Sequence, residues 1–215
     1  MWHLLIFAHF TTCPGKSQLP FLREGDMIGK KEASAMDIPA RCRDENGCLI
    51  RQSLMTDIPY GCRTAAEKGC GFIAVYNAAR ALAQPVTETE VWQFFHDRVF
   101  LRGIMGTTVG HVCRGVYRFG MKVTGLRYRN LKDAKAGILW YHTGRSRHYV
   151  LVRRCEGGRY AFPNSAAPGP MDFPDFYNKY VKHLRLTPLH IDLPIMFTVT
   201  VDARVQKKQR RWRKM

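Results

Sequence analysis

The segment Gly69-Cys70-Gly71-Phe72-Ile73-Ala74-Val75-Tyr76-Asn77-Ala78-Ala79-Arg80-Ala81-Leu82 organises the reading of the whole chain. Phe72, Val75, Tyr76, Ala79 and Leu82 recur at helical spacing, and Pro85 stops the run. The period predicts a buried helix with a cysteine in its first turn. There the unsatisfied N–H groups and the positive end of the helix dipole favour thiolate over thiol. The flanking glycines are read as room for backbone and substrate to approach.

Downstream of this helix, Thr87 and Glu90 form a capping-box pattern that opens a second helix running to about Arg98. A third is expected after Thr107 or Thr108, through Val109, Val112, Val116 and Phe119, ending at Gly120. Met121–Thr124 alternates like a strand. A helical turn over 131–136 leads to apolar strands at Gly137–Tyr141 and His148–Val152. Glu156-Gly157-Gly158 then turns the chain into Arg159–Phe162. Helices first and hairpin-connected strands second predict an α+β domain, with the helices packed on one side of an antiparallel sheet.

Upstream, residues 1–60 read as an irregular lead-in rich in turn formers, with a hairpin expected around Asn46-Gly47. The apolar N-terminus Trp2–Phe10 lacks a basic flank and a small-residue cleavage site, so it reads as a buried strand rather than an export signal. Residues 61–202 form the expected globular body, and 203–215 a basic, mobile tail. No window approaches the 18 apolar residues of a spanning helix.

The chain has 215 residues with 34 Lys+Arg against 17 Asp+Glu, a formal net charge of +17. Its hydrophobic fraction of 46% is enough to bury a core, which excludes wholesale disorder. The charge draws it toward anionic partners. The tail cations Arg204, Lys207, Lys208, Arg210, Arg211, Arg213 and Lys214 supply part of the excess. They read either as a solvated terminus or as a grip on phosphates, with Trp212 available to stack. Arg145, Arg147, Arg153 and Arg154, near His148, are expected either to favour an acidic substrate or to help hold a thiolate. Seven cysteines without a Cys-x-x-Cys pair point to free thiols, a reducing compartment and hence a cytoplasmic location.

Three residues then stand in an ordered set: Cys70 opening a helix, His148 opening a strand and Asn164 following the next strand. A histidine held at a strand end can present one ring nitrogen to the sulfur, and a side-chain carbonyl of Asn164 can accept the other ring N–H. Alone, Cys70 reads as a small core residue, His148 as a packed strand-end histidine and Asn164 as a turn residue. His111 and His142 compete with His148: His111 is expected in a helix, and His142 at a polar turn facing solvent. Cys62 and Cys113 compete with Cys70 but lack its helix start and glycines.

Gly69-Cys70-Gly71-Phe72-Ile73-Ala74, His148-Tyr149-Val150-Leu151-Val152 and Phe162-Pro163-Asn164 resemble the three blocks of papain-like cysteine peptidases, most nearly the bacterial double-glycine leader peptidases. The likeness covers about residues 60–165. It implies a papain-like fold and a thiol peptidase acting on peptide or protein, with Cys70 as nucleophile, His148 as general base and acid, and Asn164 as orienter. It implies no metal or organic cofactor. Two departures stand out. The leader peptidases usually carry Asp where this chain has Asn164. Thr64-Ala65-Ala66-Glu67-Lys68 also lacks the glutamine that usually completes the oxyanion hole, leaving Thr64, Lys68 or Gln52 as candidate donors. Acyl transfer remains beside hydrolysis. A catalytically silent peptide-binding module and a basic nucleic-acid-associated protein stand as the alternatives.

Overall fold

In the computed structural model, the described residues are 36–98, 106–125, 131, 134–182, 185–187, 190–191 and 194–203. The expected N-terminal strand, part of the helical turn over 131–136 and nearly all of the basic tail lie outside them. The elements run β1 (Pro59–Tyr60), β2 (Arg63–Thr64), α1 (Ala65–Lys68), α2 (Cys70–Ala81), α3 (Glu88–His96), α4 (Val109–Arg118) and β3 (Met121–Gly125). They continue with β4 (Ala136–His142), β5 (Arg147–Arg154), β6 (Tyr160–Ala161), α5 (Phe173–Tyr180), β7 (Arg185–Thr187), β8 (His190–Ile191) and β9 (Ile195–Val201). The protein is α+β, with helices packed against an antiparallel sheet of order β3-β9-β4-β5-β6.

Helix boundaries follow local chemistry. Thr87 accepts from the Glu90 N–H at 3.2 Å while the Glu90 carboxylate accepts from the Thr87 N–H at 2.8 Å, so the expected capping box is formed. Thr108 caps α4 by accepting from the His111 N–H. β4 and the central Tyr149–Val152 of β5 are apolar because both faces of the sheet are covered there, while the ends of β5 carry Arg147, Arg153 and Arg154. Ile138, Tyr149, Leu151, Phe197 and Val199 enter a core with Phe72, Ile73 and Val75 of α2. Leu139, Tyr141, Val150, Val152 and Met196 enter a second core with Phe173 and Phe176 of α5. Helices therefore lie on both faces of the sheet, whereas one face was expected. The helix that adds the second face, α5, follows the last strand read from the sequence.

The boundary expected at residue 60 does not divide the packing. Ile38, Cys42, Cys48, Leu49, Met55, Ile58 and Tyr60 are buried in the same core as α2. Asn77, fully buried on α2, accepts from the Leu49 N–H at 2.6 Å and donates to the Leu49 carbonyl at 2.8 Å. A buried amide satisfied in this way fixes the upstream segment to the helix. The turn expected at Asn46-Gly47 forms, with Gly47 at φ 72° and the Asp44 carboxylate accepting from the Asn46 and Cys48 N–H groups. Among the described residues, no helix is long and apolar enough to cross a membrane.

Candidate active site

Cys70 is the first residue of α2 and His148 the second of β5. Tyr141 pairs with His148 across β4 and β5 and packs edge-on against its ring at 5.9 Å, so the imidazole is held from the sheet side. The turn at Glu156–Gly158 reverses the chain into β6, which runs back along β5 and returns Asn164 to the histidine. The three residues meet in a cleft of about 1280 Å³.

Cys70 and His148 both line the cleft, and the His148 ring acts on the Cys70 sulfur. His148 Nε2 donates to the Asn164 backbone carbonyl at 2.7 Å, so Nδ1 is the nitrogen left to face the sulfur. Burial pushes the Cys70 thiol up. The hydrogen bond and charge of His148, with the backbone N–H groups of Tyr149 and Gly71, outweigh it and hold the thiol below its ordinary value. Burial likewise pushes His148 down, but the sulfur and the Asn164 carbonyl together raise it. The two shifts favour a thiolate facing an imidazolium.

The expected role for the Asn164 side chain is corrected in one respect: the ring is met by its backbone carbonyl. The side chain is turned away, with Oδ1 accepting from the Gln52 backbone N–H and Nδ2 donating to Gln52 Oε1, both at 3.1 Å. Asn164 has φ 65°, in the left-handed region that Asn tolerates better than most residues. That conformation lets one residue offer its carbonyl to His148 and its amide to Gln52.

Of the three candidate oxyanion donors, Gln52 and Lys68 line the cleft. Thr64 is the N-cap of α1, its N–H directed to the Glu67 carboxylate at 3.4 Å, and is not among the lining residues. Gln52 Nε2 donates to the Ala66 carbonyl at 3.0 Å, so the amide bridges the upstream segment, the turn before Cys70 and Asn164.

The flanking glycines have internal reasons. A Cβ on Gly71 would lie 2.6 Å from the Thr107 side chain, and one on Gly69 would lie 2.6 Å from the Ala65 carbonyl oxygen. They make room for neighbouring protein, not for substrate. Thr107 is held by Tyr60, hydroxyl to hydroxyl, at 2.5 Å.

Among the rivals, His142 is buried rather than solvent-facing, and its Nδ1 accepts from the Gly144 N–H at 2.8 Å. Burial and the charges of Arg114 and Arg98 hold His111 below its ordinary value. Cys62 is exposed, and burial pushes Cys113 up. Arg147 lines the cleft, while Arg145, Arg153 and Arg154 do not. Five residues of strand put Arg153 roughly 16 Å along β5 from His148. Sequence reading missed the Tyr149 N–H and the Trp140 and Thr107 walls; strand backbone carries no residue-type signal for such a role. Among the described residues, no cluster of three His, Cys, Asp or Glu side chains is disposed to hold a metal ion.

Scans against protein-family models and against curated proteins find no match. Among solved structures, the chain is similar to a double-glycine motif protease from an AMS/PCAT transporter, crystallised with its leader peptide. The likeness has 16% identity and a TM-score of 0.38, and covers 61% of this chain and 84% of that one. At that level it carries no argument about the site.

Proposed function

We propose that the protein is a papain-like thiol peptidase or related amide hydrolase. The observation that carries this reading is that Cys70, His148 and Asn164 line one open cleft, with His148 Nε2 donating to the Asn164 carbonyl. The Cys70 thiolate attacks the substrate carbonyl carbon, forming a C–S bond and moving the carbonyl π electrons onto oxygen. As the oxyanion collapses, the C–N bond breaks and His148 delivers its proton to the leaving amine. The acyl-enzyme is then attacked by water. His148 takes the proton from that water, and the thiolate leaves as the acid departs. Asn164 orients the ring through its backbone carbonyl.

The oxyanion meets the Cys70 backbone N–H and a second donor, which we assign to Gln52. One Nε2 proton of that amide is engaged by Ala66, and the other is left for the cleft. Incubation with a peptide library, read by mass spectrometry, tests the reading. The parent chain should cleave, and Cys70→Ala, a small-for-small change at a helix start, should fold and not cleave. Cleavage surviving in Cys70→Ala would overturn the assignment.

A further inference from the structure

The charged groups around the cleft are unevenly divided. Arg51, Lys68 and Arg147 line it, from the loop before Gln52, from α1 and from β5, against one carboxylate, Glu67. Glu67 is directed to the Thr64 N–H at the start of α1. Arg147 stands over the Trp140 ring at 5.6 Å, which places its guanidinium beside a wall of the cleft. Among the described residues, neither Arg51 nor Lys68 is ion-paired with a carboxylate. Arg51 adopts φ 53°, a left-handed conformation that disfavours a residue with a β-carbon, beside the Gln52–Asn164 pair.

Like charges gathered around one concavity repel each other and focus a positive potential into it. Two uses are open to Arg51 and Lys68: holding the thiolate or meeting the substrate. The thiolate already has its partners, since His148 and the N–H groups of Tyr149 and Gly71 account for its lowering, and none of the three cations is among the causes. That leaves the substrate.

We infer that the cleft takes a peptide carrying carboxylate side chains close to the bond presented to Cys70, with Arg51 and Lys68 as specificity-determining residues. The inference rests on the peptidase reading, and names its substrate class.

The test uses the full chain carrying Cys70→Ala, which binds without turnover, and two short acetylated, amidated peptides that differ only in Glu against Gln. Fluorescence anisotropy at low salt should show the Glu peptide preferred by about fivefold or more, the scale for two unit charges acting across hydrated space. Arg51→Gln/Lys68→Gln should abolish the preference. Arg118→Gln/Lys122→Gln removes the same charge from exposed positions outside the cleft, and should keep it. Circular dichroism checks that each variant is folded, and Lys68→Gln alone should give a partial loss if the pair is unstable. Equal binding of the two peptides would overturn the inference, as would a preference that survives in Arg51→Gln/Lys68→Gln or falls equally in the control. The peptidase reading is read separately, by iodoacetamide labelling of Cys70 in the parent chain, so failure of either claim is seen apart from the other.

Discussion

Cys70 and Cys48 belong to one apolar region and end with opposite chemistry. Cys48 is 1% exposed in the turn that leads to Leu49, and Cys70 is half-buried at the start of α2, packed against the same core. Burial raises both thiols. At Cys48 burial and the Asp44 carboxylate prevail over the charges of Arg153 and Arg80, and the thiol is pushed up to about 11. At Cys70 a histidine and two backbone N–H groups reverse the sign. The comparison teaches that a thiol in an apolar region is lowered only by its hydrogen-bond donors and neighbouring charge, since burial alone raises it.

The largest expected effect comes from removing the donor that separates the two cysteines. His148→Ala should make Cys70 resemble Cys48, lowering its iodoacetamide labelling at about pH 6 by on the order of 100-fold. Labelling that persists would assign the shift to the helix start alone. Next, Gln52→Ala should lower turnover by on the order of 100-fold while labelling falls much less, because alkylation forms no oxyanion. Equal losses would make Gln52 only a support for Asn164.

A third variant probes the other thiol. Cys48→Ser places a hydroxyl in an apolar site and should cost about 1–3 kcal/mol in denaturant unfolding, with labelling of Cys70 unchanged. The smallest effect separates backbone from side chain at Asn164. Glycine accepts φ 65° freely, so Asn164→Gly should be about 1 kcal/mol more stable than Asn164→Ala and retain more Cys70 labelling. If the side-chain carbonyl oriented the ring, the two variants would lose labelling alike.

Much of this arrangement is legible in the sequence. The period of Phe72, Val75, Tyr76 and Ala79 placed Cys70 at a helix start, and the apolar runs of β4 and β5 placed His148 at a strand end. What escaped had no local signature. The strand at Ile195–Val201 is not among those read from the sequence, and nothing in it announces insertion between β3 and β4, a pairing fixed only by long-range packing. At Asn164 the backbone carbonyl, and not the expected side chain, meets the His148 ring, because sequence displays side chains and hides carbonyls. Gln52 was legible as a candidate donor, but its three-way bridging depends on upstream residues packing with the core, which their turn-rich composition conceals.

The central claim is that Cys70 is a thiolate held by His148, and pH-resolved alkylation of the full chain tests it most directly. Site-by-site mass spectrometry after brief iodoacetamide pulses, from about pH 5 to about pH 10, reads each thiol separately. A lowered thiol is ionised above its own value and protonated only below it. Cys70 should therefore label well below the ordinary thiol value of 9.0 and fade only as pH drops through its lowered value, while Cys48 stays unreactive until pH approaches about 11 or the chain unfolds. Cys70 labelling that rises only toward the ordinary value or beyond, in step with Cys48 and Cys113, would contradict the account.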